Sequence, residues 1–272
     1  MRIWLITVNF KKTAPTIELV NSLEKTKLNF DLKVFIADNE YSLKSKKELI
    51  ELKENSNLDI DLVFFNENKY YWPAANHILL QNYKIYNHYP DWVIICNNDI
   101  IFNDMNFFDK LSKFDGKMYN VIGPNIFNSN KKQLNPFMKN SMNYKTKLFW
   151  DLYFKSFYLS LLLGFLIKCK NFFNKDLKNN KIMNVYAVHG SAIVFSKHFF
   201  MKGGIIDTKF RLFCEELSTA EISKKIGCSI YFLPSLYLTH RQHSSTKNQN
   251  KKQLFMIAKE SHQYFIKEYF KK

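Results

Sequence analysis

The sequence predicts an α/β protein with a mostly parallel central sheet flanked by helices. Three observations predict it. Through the first half of the chain, short apolar runs alternate with amphipathic stretches of about 10–15 residues, the pattern of βαβ units. The 272 residues can bury a substantial core, as one large domain or two small ones. With 46% hydrophobic and 24% charged residues the composition is globular, and 7 Gly and 6 Pro exclude collagen-like and linker-like chains.

The elements follow in order. Ile3 to Val8 reads as a buried first strand, and Arg2 to Asn9 is too short for a secretory leader with its cleavage site. Pro15 to Leu28 reads as a helix, Leu32 to Ala37 as a strand, and Lys44 to Glu54 as a charged helix. Asp61 to Phe65 is a strand, Ala74 to Tyr86 a helix and Trp92 to Cys96 a strand. A helix near Phe107 to Phe114 then leads into a strand from Asn120 to Ile126. Farther on, a helix is expected to start at Glu215 and run to Ile226, and an amphipathic helix to span Leu254 to Phe270. Phe255, Ile257, Ile266 and Phe270 should pack that last helix on the body.

The first four strands end in polar residues: Thr7-Val8-Asn9, Asp38-Asn39, Asn66-Glu67-Asn68 and Asn97-Asn98-Asp99. Ligands of open α/β sheets bind at the carboxyl ends of strands. One such end is ordinary turn chemistry, but four in succession favour a polar binding cleft. Neither GxGxxG nor GxxxxGK[ST] occurs, so a phosphate ligand would be held by side chains or a metal.

Four stretches carry a resemblance. Asp91-Trp92-Val93-Ile94-Ile95-Cys96-Asn97-Asn98-Asp99 delivers a carboxylate from a buried run to the sheet edge. Val34-Phe35-Ile36-Ala37-Asp38-Asn39 is a strand ending in Asp-Asn, and Asn68 to Asn76 follows the third strand. Val188-His189-Gly190-Ser191 leads to Gly203-Gly204-Ile205-Ile206-Asp207, the acid pair Glu215-Glu216, Gly227, Pro234 and His240. In this order the stretches resemble family 2 glycosyltransferases, nearest the rhamnosyltransferase-like bacterial enzymes of surface polysaccharide biosynthesis. They cover about residues 3–126 and 186–246. The resemblance implies a GT-A fold, a single Rossmann-like domain. It also implies inverting hexosyl or deoxyhexosyl transfer from a nucleotide diphosphate sugar to a glycan or lipid-linked glycan.

By that resemblance Asp99 and His240 hold Mg2+ or Mn2+, which take oxygen ligands, usually only one or two carboxylates beside substrate phosphates. One acid stands where a full DxD motif has two. Asp38 corresponds to the aspartate that reads the base, and Thr7 and Asn9 line the same pocket. Asn68, Trp72 and Asn76 lie near the ribose and diphosphate, although Tyr70-Tyr71-Trp72-Pro73 replaces the family's Gly-Phe. Asn97 and Asn98 orient the donor, and Gly190 opens the acceptor half. Glu216 is the base that takes the acceptor proton, and Glu215 supports it; Ser218 replaces the family's next acid. Independently of resemblance, paired acids raise one another's pKa, and acids also suit a helix N-terminus. His240 and His243 alone lack a third ligand for zinc.

The organisation expected is a nucleotide-sugar-binding half at 1–128, a helical aromatic and basic insertion at 129–183, an acceptor and catalytic half at 184–246, and a basic amphipathic C-terminal helix at 247–272. The formal net charge is +16. Residues 129–182 carry 11 Lys against 2 Asp, and residues 241–272 carry 8 Lys and Arg against 2 Glu. The rest of the chain is nearly neutral. Two readings stand: a phosphate-bearing partner, lipid or nucleic acid, or a solvated lysine-rich surface. The charge avoids the motif-bearing body and no RNP or helix-turn-helix pattern appears, so no nucleic acid is expected. Ser156 to Ile167 is an uncharged run of 12 residues, short of the ~20 that span a bilayer. Lys168, Lys170 and Lys175 follow it, as suits an interfacial helix at the inner face of an anionic membrane; a helix covering the core or a dimer interface suits it too. Cys96, Cys169, Cys214 and Cys228 form no CxxC pair, which fits a reducing cytoplasm. The competing functions are an inactive GT-A-like membrane scaffold, given the incomplete DxD, and a basic nucleic-acid-binding protein.

Overall fold

The computed structural model describes residues 1–27, 29–39, 41–173, 179–241 and 250–270, with the side chains of 167–173 excepted. Its first half is β1 (Arg2–Phe10), α1 (Ala14–Glu24), β2 (Asp31–Asn39), α2 (Leu43–Asn55), β3 (Asp59–Phe65), α3 (Tyr71–Tyr86), β4 (Trp92–Asn97), β5 (Ile100–Ile101), α4 (Phe107–Leu111) and β6 (Val121–Asn128). The apolar runs form strands because both faces of the sheet are covered, so each alternate residue finds a core. Ile3 and Leu5 of β1, Val34 and Ile36 of β2, and Ile94 of β4 pack on one face with Leu19, Leu23, Leu49 and Phe107. Trp4, Ile6, Phe35, Ala37 and Ile95 pack on the other with Trp72, Ile78, Phe195 and Phe199.

The second half is α5 (Tyr144–Tyr153), α6 (Phe157–Phe173), β7 (Met183–Asn184), β8 (Ala192–Ser196), α7 (Lys197–Met201), α8 (Glu215–Lys225), β9 (Ile230–His240) and α9 (Lys251–Glu268). The sheet order is β3-β2-β1-β4-β8-β6-β9-β5, with β7 also on β9. From β3 to β4 all pairings are parallel, as the helix–strand alternation predicts. Beyond β4 the sheet is mixed: β8 runs antiparallel to β4 and β6, while β6 and β9 are parallel.

Some boundaries differ from expectation. α1 stops at Glu24, short of Leu28, because the Lys27 N–H turns away to Met105 O (2.8 Å). α3 begins at Tyr71, three residues before Ala74; Pro73 sits in the first turn, where backbone N–H groups have no intrahelical partner to lose. The insertion's apolar stretch is two helices, broken at Phe154–Ser156. On α9, Phe255, Ile257 and Phe265 are buried while Ile266 and Phe270 are half-buried. The register of β6 against β9 shifts between Pro124 and Asn125, so that Leu233 and Tyr237 face consecutive β6 residues. That irregularity carries β9 on to pair with β5, where His240 faces Ile100.

Candidate active site

β1, β2, β3 and β4 end side by side, and their polar ends form one wall of a cleft of about 390 Å³. Behind that wall is a hydrogen-bonded frame. Asn9 Nδ2 donates to Asp38 Oδ1 (2.7 Å), and Thr16 Oγ donates to Asn9 Oδ1 (2.7 Å). Ser45 Oγ donates to Asp38 Oδ2 (2.7 Å) while also accepting from the Ser42 N–H to cap α2. Asn98 Nδ2 reaches Thr16 Oγ at 3.0 Å, which ties the β4 turn to the frame. Asp38 is 1% exposed and both its oxygens are engaged, so its carboxylate holds the wall and is not presented to the cleft. Thr7 and Asn9 are likewise buried.

The turn after β4 presents Asn97, Asn98 and Asp99 to the cleft. Asp99 is buried, and its carbonyl accepts from the Arg241 N–H (3.0 Å) where β5 meets β9. That pairing brings His240 Nε2 to 2.9 Å from Asp99 Oδ1, and Asn97 Nδ2 lies 3.5 Å from the same nitrogen. Among the described residues no cluster of three or more His, Cys, Asp or Glu could hold a metal. A two-ligand site nevertheless fits a Mg2+- or Mn2+-type ion that takes its remaining ligands from phosphate and water. Asp99 Oδ1 and His240 Nε2 stand at hydrogen-bond distance, so both can turn toward one ion, and His240 Nδ1 is buried without a hydrogen-bond partner.

The opposite wall is the start of α8. Phe213 (φ 69°) and Cys214 (φ 66°) are consecutive left-handed residues without glycine's freedom, a strained turn of the kind kept at functional sites. The turn aims Glu215 and Glu216 into the cleft. The Gly190 N–H donates to Glu216 Oε1 (2.9 Å), and a Cβ on Gly190 would lie 2.8 Å from that oxygen, so any other residue there would push the carboxylate aside. Burial and then the Glu216 charge push Glu215 up to about 8. Burial also raises Glu216, against the pull of the Gly190 N–H. Burial, followed by the charges of Cys96, Glu215, Glu216 and Asp99, raises the Tyr71 phenol, whose hydroxyl donates to Gly190 O (3.3 Å).

The expected residues Asn68, Asn97, Asn98, Asp99, Gly190, Glu215, Glu216 and His240 therefore share one cleft. Five expected residues do not line it: Thr7, Asn9 and Asp38 are buried in the frame behind the wall, where their hydrogen bonds and packing hold the strand ends, and Trp72 and Asn76 lie elsewhere. Trp72 is 2% exposed in the core against Phe195, because α3 begins early and turns the indole inward. Asn76 lines a separate groove on the outer side of α3. His243 lies outside the described residues. Five residues inside the quoted stretches that were assigned no role there also line the cleft: Asn39, Tyr70, Tyr71, His189 and Ser191. The Ser191 N–H donates to His189 Nδ1 (3.1 Å), leaving the neutral ring's proton on Nε2, and burial and then His240 lower its pKa to about 4. Adjacency to Gly190 in the sequence was the one available signal for His189.

The mannosyltransferase PcManGT from Pyrobaculum calidifontis, in complex with GDP-Man and Mn2+, matches 93% of this chain and 59% of its own at 12% identity, TM-score 0.55. S. aureus TarS 1-349 in complex with UDP-GlcNAc matches 95% and 66% at 14% identity, TM-score 0.56. The fold is that of the GT-A glycosyltransferases. GalNAc-T7 with UDP, GalNAc and Mn2+ shares this GT-A architecture over 98% of this chain and 56% of its own, at 11% identity and TM-score 0.61. The chain thus spans little more than half the length of PcManGT and of GalNAc-T7. No protein-family model and no curated protein sequence matches it. On the GT-A sheet the cleft lies across the carboxyl ends of the parallel strands, with Asp99 and Glu216 in the same opening.

Proposed function

We propose that the protein is an inverting glycosyltransferase that moves a sugar from a nucleoside diphosphate donor to an acceptor hydroxyl. The observation that carries this reading is the meeting of the Asp99–His240 pair and the Glu215–Glu216 pair in one cleft of a GT-A fold. Asp99 and His240 would hold Mg2+ or Mn2+, which when bound neutralises charge on the departing diphosphate. Asn98, braced by Thr16, and Asn97, beside His240, position the donor next to them. The donors in the complexes of similar fold are GDP-Man and UDP-GlcNAc, which supports a nucleotide sugar here.

Glu216 is the base in this reading. Burial raises both glutamates, the Glu216 charge raises Glu215 further and the Gly190 N–H favours the Glu216 carboxylate, so Glu216 is the group of the pair that gives up its proton first. The Gly190 N–H holds the charged oxygen in place. As the acceptor oxygen bonds to the anomeric carbon, its proton passes to Glu216. The bond from that carbon to the phosphate oxygen breaks, and its electron pair leaves with the diphosphate. Attack from the face opposite the leaving group inverts the centre. A glycan or lipid-linked glycan acceptor and a role in bacterial surface polysaccharide synthesis rest on the sequence motifs alone.

The test is transfer from a panel of nucleotide sugars with Mg2+ or Mn2+, together with calorimetric binding of GDP and UDP. Metal-dependent diphosphate binding that Asp99→Asn abolishes supports the reading. Failure of every nucleoside diphosphate to bind overturns it and favours the inactive scaffold.

A further inference from the structure

α6 carries two distinct faces. Its inner face holds Phe157, Ser160 and Gly164: Phe157 packs edge-on against Phe255 of α9 (5.6 Å between centroids), Ser160 is buried, and Gly164 lies against the Tyr153 ring. Its outer face holds Tyr158 (81% exposed), Leu161, Leu162, Phe165 (64% exposed) and Leu166, all open to solvent. Their spacing, i, i+3, i+4, i+7 and i+8, makes one continuous apolar stripe. On α5 the exposed residues Tyr144, Leu148 and Leu152 repeat at i, i+4 and i+8. A contiguous apolar patch on a chain of this composition marks a contact surface.

We infer that the α5–α6 hairpin is a foot that seats the protein on an anionic lipid surface. Charge selects this occupant over a second copy of the chain. Residues 129–182, which include both helices, carry 11 Lys against 2 Asp. A two-fold interface through the hairpin would set that positive charge against itself, whereas an anionic bilayer neutralises it. Exposed Lys145 and Lys155 border the apolar stripes at headgroup reach. No helix among the described residues is long and apolar enough to cross a membrane, so the hairpin lies in the interface plane. The foot is joined to the cleft: His262 Nε2 of α9 is 2.9 Å from Asp151 of α5, and Tyr264 and Tyr269 of α9 donate to Asp207, on the loop that leads to Glu215. This inference stands independently of the transfer reaction.

The test is co-sedimentation of the full chain with vesicles of phosphatidylcholine alone and of phosphatidylcholine mixed with phosphatidylglycerol. Binding to the mixed vesicles, weakened by salt and by Lys145→Gln/Lys155→Gln, is expected. Leu162→Glu/Phe165→Glu, both at exposed positions, should leave the melting curve unchanged and weaken vesicle binding about 100-fold. Absence of binding to mixed vesicles overturns the inference. So does binding that neither double variant weakens, or a dimer by light scattering that Leu162→Glu/Phe165→Glu converts to monomer without any vesicle binding. Should Leu162→Glu/Phe165→Glu fail to fold, the lysine pair and the salt dependence decide.

Discussion

At the scale of single residues, two adjacent buried glutamates meet unequal surroundings, because the Gly190 N–H donates to Glu216 while the Glu216 charge bears on Glu215. Glu216→Gln should lower transfer by about 10²–10⁴-fold while GDP or UDP binding by calorimetry is preserved, because the donor wall is untouched. Gly190→Ala should also cut transfer sharply, since its methyl would displace the Glu216 carboxylate; a crystal structure of the variant would show the shift. Glu215 links the site to stability. Its folded pKa, about 8, lies above the ordinary 4.5, so between these values the folded chain holds a proton that the unfolded chain has released. The stabilisation is full below the lower value and is lost as pH rises through the higher. Tm should therefore fall as pH is raised across that window, and Glu215→Gln should flatten the dependence in a thermal melt. At this scale the sequence was informative where a residue type has one chemical use, as with Asp99 after its apolar strand. It was uninformative for Asp38, whose carboxylate could face the ligand or the frame; the hydroxyls of Ser45 and the amide of Asn9 decide that, and neither is visible before the chain folds.

Among elements, α9 backs the α8 side of the cleft. Phe265 is 1% exposed and packs with Phe210 and Leu217, next to the acid pair. Phe265→Ala should cost about 3–5 kcal/mol, read from urea unfolding. Tyr269→Phe removes a 2.6 Å hydrogen bond to Asp207 and should cost ~1 kcal/mol by the same measurement. The helical period of α9 was legible, but not which of Phe265, Ile266 and Phe270 turns inward, because all three are apolar and the neighbouring surface chooses. β1, β2 and β4 were legible as runs with too few polar residues to face water. The upstream start of α3 was hidden by Tyr70, whose φ of 61° begins the helix from a conformation that residue type rarely adopts. Its consequence is the inward turn of Trp72.

For the whole molecule, the two apolar layers lie on opposite faces of one continuous sheet, and buried Trp4, Trp72 and Trp92 sample both. Because one sheet carries both layers, neither is lost without the other, and tryptophan fluorescence should change over the same urea range as the strand signal in circular dichroism. The parallel part of the sheet was legible because helices alternate with strands there. The mixed part was not, because the β6–β9 pairing spans more than a hundred residues and leaves no local periodicity. That the charge is segregated from a neutral body was visible from counting alone, whereas the exposure of one apolar face of α6 needed its packing on α9. Between the two halves, Asn97 N–H donates to Ser191 O (2.8 Å), continuing the ladder in which Cys96 faces Ala192. Asn97 and Ser191 both line the cleft, so along this seam its floor is welded to the sheet and cannot spread without breaking a rung.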